Sequence, residues 1–177
     1  MMTPVAINLG LDFRVLAEVE GSSAQLAATQ IGDYRDLDTV LNFAKSVDTI
    51  TFDHEHVPQH ILSALLDAGK SVQPGPAALR LAQNKIVMRQ ELQKLGLPMP
   101  VWAIVQDASE LTAFLEAQGG RCIVKTPTGG YDGKGVRLIS DAAEAADWFA
   151  ASPNQPLLAE EAVDFVRELA QLSARST

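Results

Sequence analysis

Two lysines and a run of glycines carry the most distinctive chemistry in this sequence. Lys125 stands inside the apolar, strand-like run CIVKT and is followed by TPTGGYDGKG (126–135), ten residues holding four glycines and a second lysine, Lys134. The Asp132-Gly133 dipeptide is a hairpin-turn signal, so two strands joined by a turn would account for those two residues. A hairpin needs only about 2–5 connecting residues, and longer loops without secondary structure tend to be lids or binding loops. Four glycines leave many backbone amides able to approach an anion closely, and phosphate is the natural ligand for such a loop beside a lysine. The stretch is not a Walker A loop: Gly129 to Gly133 is one residue short, and Gly135 follows Lys134 where Ser or Thr should stand. An isolated lysine in Lys125's place would be read as an edge-strand residue snorkelling to water. Beside the glycine loop, its ammonium is instead a suitable point charge for the phosphates of a nucleotide.

Downstream, LLAEEAVDF supplies Glu160 and Glu161, and RELAQ supplies Glu168. A strand running out into a short connection can offer main-chain groups to an adenine edge, and a carboxylate further along can accept from ribose hydroxyls. Taken alone, these acids would be read as solvated. A separate constellation, DHEHVPQH, contains all three histidines, His54, His56 and His60, with Glu55 between the first two. Two histidines spaced this way at a strand end can share a face, with Glu55 as a base, as in a metal-dependent hydrolase. Against that, Pro58 restricts Val57 to extended conformations and places His60 on the following helix, and the chain has no further histidine. A binding loop is the preferred reading, with His54 and His60 ordinary.

The elements that must position these residues alternate. Strand-like runs are expected at 13–17, 48–52, 70–74, 99–105, 121–126, 135–139, 156–162 and 167–174. Helical spacing occupies 37–47, 58–69, 84–96, 108–120 and 140–151, several stretches closed by glycine. The fold class is therefore α/β: a partial Rossmann-like parallel sheet over 1–75, a helical connection over 76–98, and a small α+β lobe with antiparallel strands over 99–177. The segment 3–10 reads as the tail of a helix with no strand before it, and 167–174 as an alternating strand at an edge, so both ends have the look of a cut. Trp102, Trp148, Phe43, Phe114, Phe149, Met88 and Met99 are expected in the core, and Cys122 packs inside without a base nearby.

Composition narrows the partners. The 177 residues are 47% hydrophobic and 20% charged, enough apolar material for a core, and the net charge of −8 gives no field that would draw nucleic acid or an anionic membrane. One cysteine excludes an internal disulfide and suits a reducing compartment. No apolar run reaches the ~20 residues of a membrane helix, and a cytoplasmic protein is expected.

The segments VQPGPAALRLAQNKIVMRQELQKLGLPMP, IVKTPTGGYDGKGV and LLAEEAVDFVRELAQLSAR together resemble the ATP-grasp ligases. With TFDHEHV, the likeness is closest to the 5-(carboxyamino)imidazole ribonucleotide synthases of purine biosynthesis. It spans nearly the whole chain, although family members start ahead of Met1 and run well past Thr177. The resemblance implies a carbon–nitrogen ligase: ATP phosphorylates bicarbonate to carboxyphosphate, and the carboxyl group passes to the amine of 5-aminoimidazole ribonucleotide. It also implies that Lys85 and Lys125 neutralise ATP phosphates, and that Gly130, Tyr131, Asp132, Gly133, Lys134 and Gly135 form the lid. Glu160 and Val163 would hold the adenine edge and Glu168 the ribose, with Glu161 also in the ATP site. Glu55 and His56 would lie near the imidazole, with Tyr131 and Lys134 also reaching the ribonucleotide phosphate. Magnesium would be a cofactor whose ligands are expected beyond residue 177, leaving no metal ligand and no catalytic residue assigned here, and a homodimer would be usual. Lys134 stands where the family commonly has arginine, giving a point contact in place of a bidentate one. Asp53, Ala162 and Asn84 likewise replace commoner glutamate, glycine and acid. The other reading from this sequence is a nucleotide-binding module without chemistry; a chain cut from a ligase would be expected to turn over little ATP on its own.

Overall fold

The computed structural model describes residues 2–130 and 134–173. The chain divides into two units, Met1–Gln83 and Asn84–Thr177, the division falling within the stretch expected to be a helical connection.

The first unit runs α1 (Thr3–Asn8), β1 (Val15–Ala17), β2 (Ala28–Ile31), α2 (Leu37–Ala44), β3 (Thr49–Ile50), α3 (Gln59–Asp67), β4 (Ser71–Val72) and α4 (Pro76–Gln83). Its strands form two parallel pairs, β1 with β2 and β3 with β4. Strand β2 is not expected from the sequence: ATQI is short and half polar, and the pairing to β1 is what makes it a strand. Asp36 starts α2 by accepting from the Thr39 N–H at 2.8 Å. Ile61, Leu62 and Leu65 on α3 are fully buried and pack with Val40, Ala44, Ile50, Val57 and Val72. This is the apolar stripe that a four-residue period puts on one helical face.

The second unit continues with α5 (Lys85–Lys94), β5 (Trp102–Val105), α6 (Ala108–Ala117), β6 (Cys122–Lys125), β7 (Val136–Ile139), α7 (Ala146–Ala151) and β8 (Leu157–Glu161). Its four strands lie in the order β5-β8-β6-β7, every pair antiparallel. Alternation sorts the side chains. Val105, Cys122, Val124, Ile139, Leu157 and Ala159 join Leu111 and Leu115 of α6 in one core, with Phe114, Trp148 and Phe149 packed against it. The opposite face carries Ile123, Lys125, Leu138 and Glu160 around a cavity. Cys122 is fully buried, and desolvation pushes its thiol up to about 11.

The expected strand at 167–174 is a correction. Residues 167–173 form no strand, and Val166, Leu169 and Leu172 are almost wholly exposed. Alternation makes a strand only where a neighbour supplies the ladder, and among the described residues none pairs with this stretch. No helix among the described residues is long and apolar enough to cross a membrane.

Candidate functional site

The second unit holds a cavity of about 390 Å³ whose walls include Arg89, Arg121, Ile123, Lys125, Glu160 and Val163. Its size falls in the range of small-molecule sites. The register of the sheet builds it. Ile123 lies opposite Glu160, so Lys125, two residues along β6, is the diagonal neighbour of Glu160 on the same face. Lys125 is the last residue of a strand paired on both sides, not of an edge strand.

Glu160 is 3% exposed and is held by two cations, Arg89 Nε donating to Oε1 and Lys125 Nζ to Oε2. Burial alone would raise its pKa. The hydrogen bonds from Arg89 and Lys125, together with their charges, outweigh that and hold the carboxyl below its ordinary value. The family resemblance places Glu160 at an adenine edge, and the sequence reading does not single out Arg89. Two signals point to Arg89: it stands four residues after Lys85, on the same helical face, and a glutamate inside LLAEE must find cations if the strand is buried.

Helix α5 brings Arg89 to Glu160 and the Lys85 main chain to this unit's glycine loop. Asn84 caps it, its side-chain oxygen accepting from the N–H groups of Ile86 at 3.0 Å and Val87 at 3.1 Å. The Lys85 N–H donates to the Pro127 carbonyl at 2.9 Å, tying the helix start to the first residues of the loop. The neck of the loop is narrow: the Thr126 N–H donates to the Gly135 carbonyl at 3.0 Å. A Cβ on Gly130 would come within 2.5 Å of the Lys134 carbonyl oxygen, and one on Gly135, whose φ is +74°, would collide with the Thr126 hydroxyl. Lys134 is exposed, and Tyr131, Asp132 and Gly133 lie outside the described residues.

The remaining expected residues fall in several places. Glu161, at the end of β8, is exposed; its N–H donates to the Val101 carbonyl at 2.8 Å and its carboxylate accepts from the Val101 N–H at 3.2 Å. Ala162 and Val163 also line the cavity, and Arg121 at its rim pairs with Asp164 at 2.6 Å. Glu168 is exposed and is not among the cavity's walls.

Glu55 and His56 belong to the first unit. The loop that bears them is fixed by main-chain contacts: the Gln83 amide donates to the carbonyls of Glu55 at 2.7 Å and Val57 at 2.6 Å, and Gln83 also accepts from Gln59 at 2.7 Å. His54 takes the His56 N–H on Nδ1 at 3.2 Å, and their rings lie 5.4 Å apart. His60 is exposed on α3, and among the described residues no three His, Cys, Asp or Glu side chains converge as a metal site would require.

Comparison with known proteins bears on the family and the fold. Residues 90–177 match the ATP-grasp domain and residues 1–83 the ribonucleotide synthetase preATP-grasp domain. The chain is similar to N5-carboxyaminoimidazole ribonucleotide synthase of Corynebacterium ammoniagenes, 41% identical over 180 residues that cover 99% of this chain and 44% of that protein. To the enzyme of Mycobacterium tuberculosis it is 40% identical, covering 99% of this chain and 42% of that one. Among solved structures, carboxyaminoimidazole ribonucleotide synthase of Aspergillus clavatus complexed with ATP aligns with a TM-score of 0.80 at 26% identity, over 94% of this chain and 44% of that one. The N5-carboxyaminoimidazole ribonucleotide synthetase of Thermus thermophilus aligns at 0.79 and 26%, over 94% and 45%. The chain thus spans a little under half the length of these relatives.

Proposed function

The chain belongs to the ATP-grasp family, among its N5-carboxyaminoimidazole ribonucleotide synthases, and from that premise we propose that it supplies the nucleotide site for ATP-dependent carboxylation of 5-aminoimidazole ribonucleotide in purine biosynthesis. In this reaction a bicarbonate oxygen takes the terminal phosphoryl group of ATP, releasing ADP and giving carboxyphosphate. The ribonucleotide's exocyclic amine then attacks the carboxyl carbon, phosphate leaves, and the amine proton is lost, which yields the carbamate.

One observation carries the proposal: a strand-end lysine, Lys125, lines a ligand-sized cavity and is followed at once in the chain by a glycine loop pinched at its neck. Joining two anions needs cations and amides that are in place beforehand, since reorganising them during the reaction would cost much of the stabilisation they give. Lys125 and Lys85 contribute that charge at the start of the loop, and the loop amides contribute donors. Ala162 and Val163, just past β8, take the adenine edge, with Glu160 beneath it. A closed loop would also shield carboxyphosphate from water. Glu55 and His56 are proposed for the ribonucleotide, and the reaction belongs in the cytoplasm.

Magnesium, which the family resemblance implies as a cofactor, finds no ligand set among the described residues. The described residues offer no converging acidic set, and both oxygens of the buried carboxylate in the cavity are already taken by cations.

The test is calorimetric titration with ATP. Lys125→Ala should weaken binding at least tenfold, about the effect of losing one charge-assisted contact to phosphate. An unchanged affinity would overturn this placement of the lysine. In a chain extended to the length of its relatives, ATP turnover should require both bicarbonate and 5-aminoimidazole ribonucleotide. Binding without any such turnover would leave only the nucleotide-binding module.

A further inference from the structure

Of the two cations on Glu160, only Lys125 belongs to the phosphate-binding set. Arg89 reaches the same carboxylate from α5, a helix capped by Asn84 and tied through Lys85 to Pro127. The two cations differ in character. Arg89 has the more shielded side chain, 15% exposed against 22% for Lys125, and grips with a planar guanidinium. Lys125 ends in a compact charge on a flexible stem, which can turn to a new partner. A carboxylate as buried as Glu160 tolerates the departure of one cation only if another stays.

We propose that Arg89 is a positioning residue for the nucleotide site: by holding Glu160, it lets the Lys125 ammonium pass from carboxylate to phosphate without leaving a buried charge uncompensated. This inference rests on the nucleotide reading above. It has a consequence that a packing role would not have. Without Arg89, every contact of Lys125 with phosphate competes with the only counter-charge left to Glu160, and ATP affinity falls. If Glu160 is then made neutral as well, the competition disappears and affinity returns.

The experiment titrates the full chain with ATP and with adenosine, in wild type, Arg89→Met, Arg89→Lys and the double variant Arg89→Met/Glu160→Gln. Arg89→Met should weaken ATP binding by roughly tenfold, the scale of one charge-assisted contact that Lys125 can no longer give freely, and should leave adenosine within about twofold. Arg89→Lys should recover part of the loss, and the double variant should bind ATP more tightly than Arg89→Met when each is read as the ratio of ATP to adenosine affinity, in which any adenine contact of Glu160 cancels. Equal losses for ATP and adenosine would overturn the inference, as would a double variant weaker than Arg89→Met on that ratio. If Arg89→Met does not fold, Arg89→Lys and the double variant carry the same comparison.

Labelling of Lys125 with trinitrobenzenesulfonate, read by peptide mass, needs no nucleotide. Arg89→Met should slow it, because the ammonium becomes the sole counter-ion of Glu160. Slowed labelling in a chain that binds no ATP would remove the nucleotide reading and keep the coupling of the three residues. Unchanged labelling in a chain that binds ATP normally would remove the inference and keep the nucleotide reading.

Discussion

The two units hold their candidate residues by different means. In the second, the side chains proposed for binding are also what holds the site together: Glu160 is inseparable from Arg89 and Lys125, on a sheet buried on one face and hollow on the other. In the first, Glu55 and His56 ride on a loop whose main chain is held by the Gln83 amide at Glu55 and Val57 and by His54 at the His56 N–H, contacts that do not use the Glu55 carboxylate. Substitutions in the second unit therefore alter function and stability together, whereas those at Glu55 separate the two.

The contrast can be broken at four points. Glu160→Ala should be the most damaging, because it leaves two like charges facing each other in a shielded place, and breaking a buried pair costs about 3–5 kcal/mol. Both tryptophans belong to the second unit, so urea unfolding followed by their fluorescence reads this loss directly. A loss below about 1 kcal/mol, the scale of an exposed pair, would show that the charges matter little to the fold.

Acid should reproduce part of that effect. The folded carboxyl of Glu160 sits below its unfolded value, so its contribution is complete above about pH 4.3, the ordinary glutamate pKa, and is lost as pH falls through the lower folded value. The wild-type stability should therefore drop more steeply below that pH than that of Glu160→Gln, measured by the same fluorescence; parallel curves would place the acid sensitivity elsewhere.

Next in size is Gln83→Ala, which strips two carbonyls of their donor and should cost about 1–3 kcal/mol in the first unit. Thermal melting followed by circular dichroism, with tryptophan fluorescence as the reference for the second unit, would localise the loss. The smallest effect is expected of Glu55→Gln, within about 0.5 kcal/mol in the same melt. A larger loss there would mean that the carboxylate has structural work and would erase the contrast.

What the residues themselves disclose follows the same division. The strands 102–105, 122–125, 136–139 and 157–161 are legible because their alternation is met by real neighbours, and the helices at 59–67, 85–94 and 108–117 because caps and apolar spacing agree. The stretch 167–173 alternates equally well and forms no strand, since alternation says which face would be buried and nothing about whether a partner exists. β2 departs in the opposite sense, a polar segment made into a strand by tertiary pairing. At the site, Lys125 and the glycine loop announce themselves by being out of keeping with a simple hairpin. The link from Arg89 to Glu160 spans 71 residues of chain, and no local pattern encodes a contact of that range.

The lone thiol, sealed in the middle of the four-stranded sheet and reluctant to ionise, has a practical consequence. A maleimide cannot reach Cys122 until the core between β6 and α6 opens, so the alkylation rate is a clock for that opening event. The protein comes with its own stopwatch for the strand that ends in Lys125, and a nucleotide that clamps this strand should slow it.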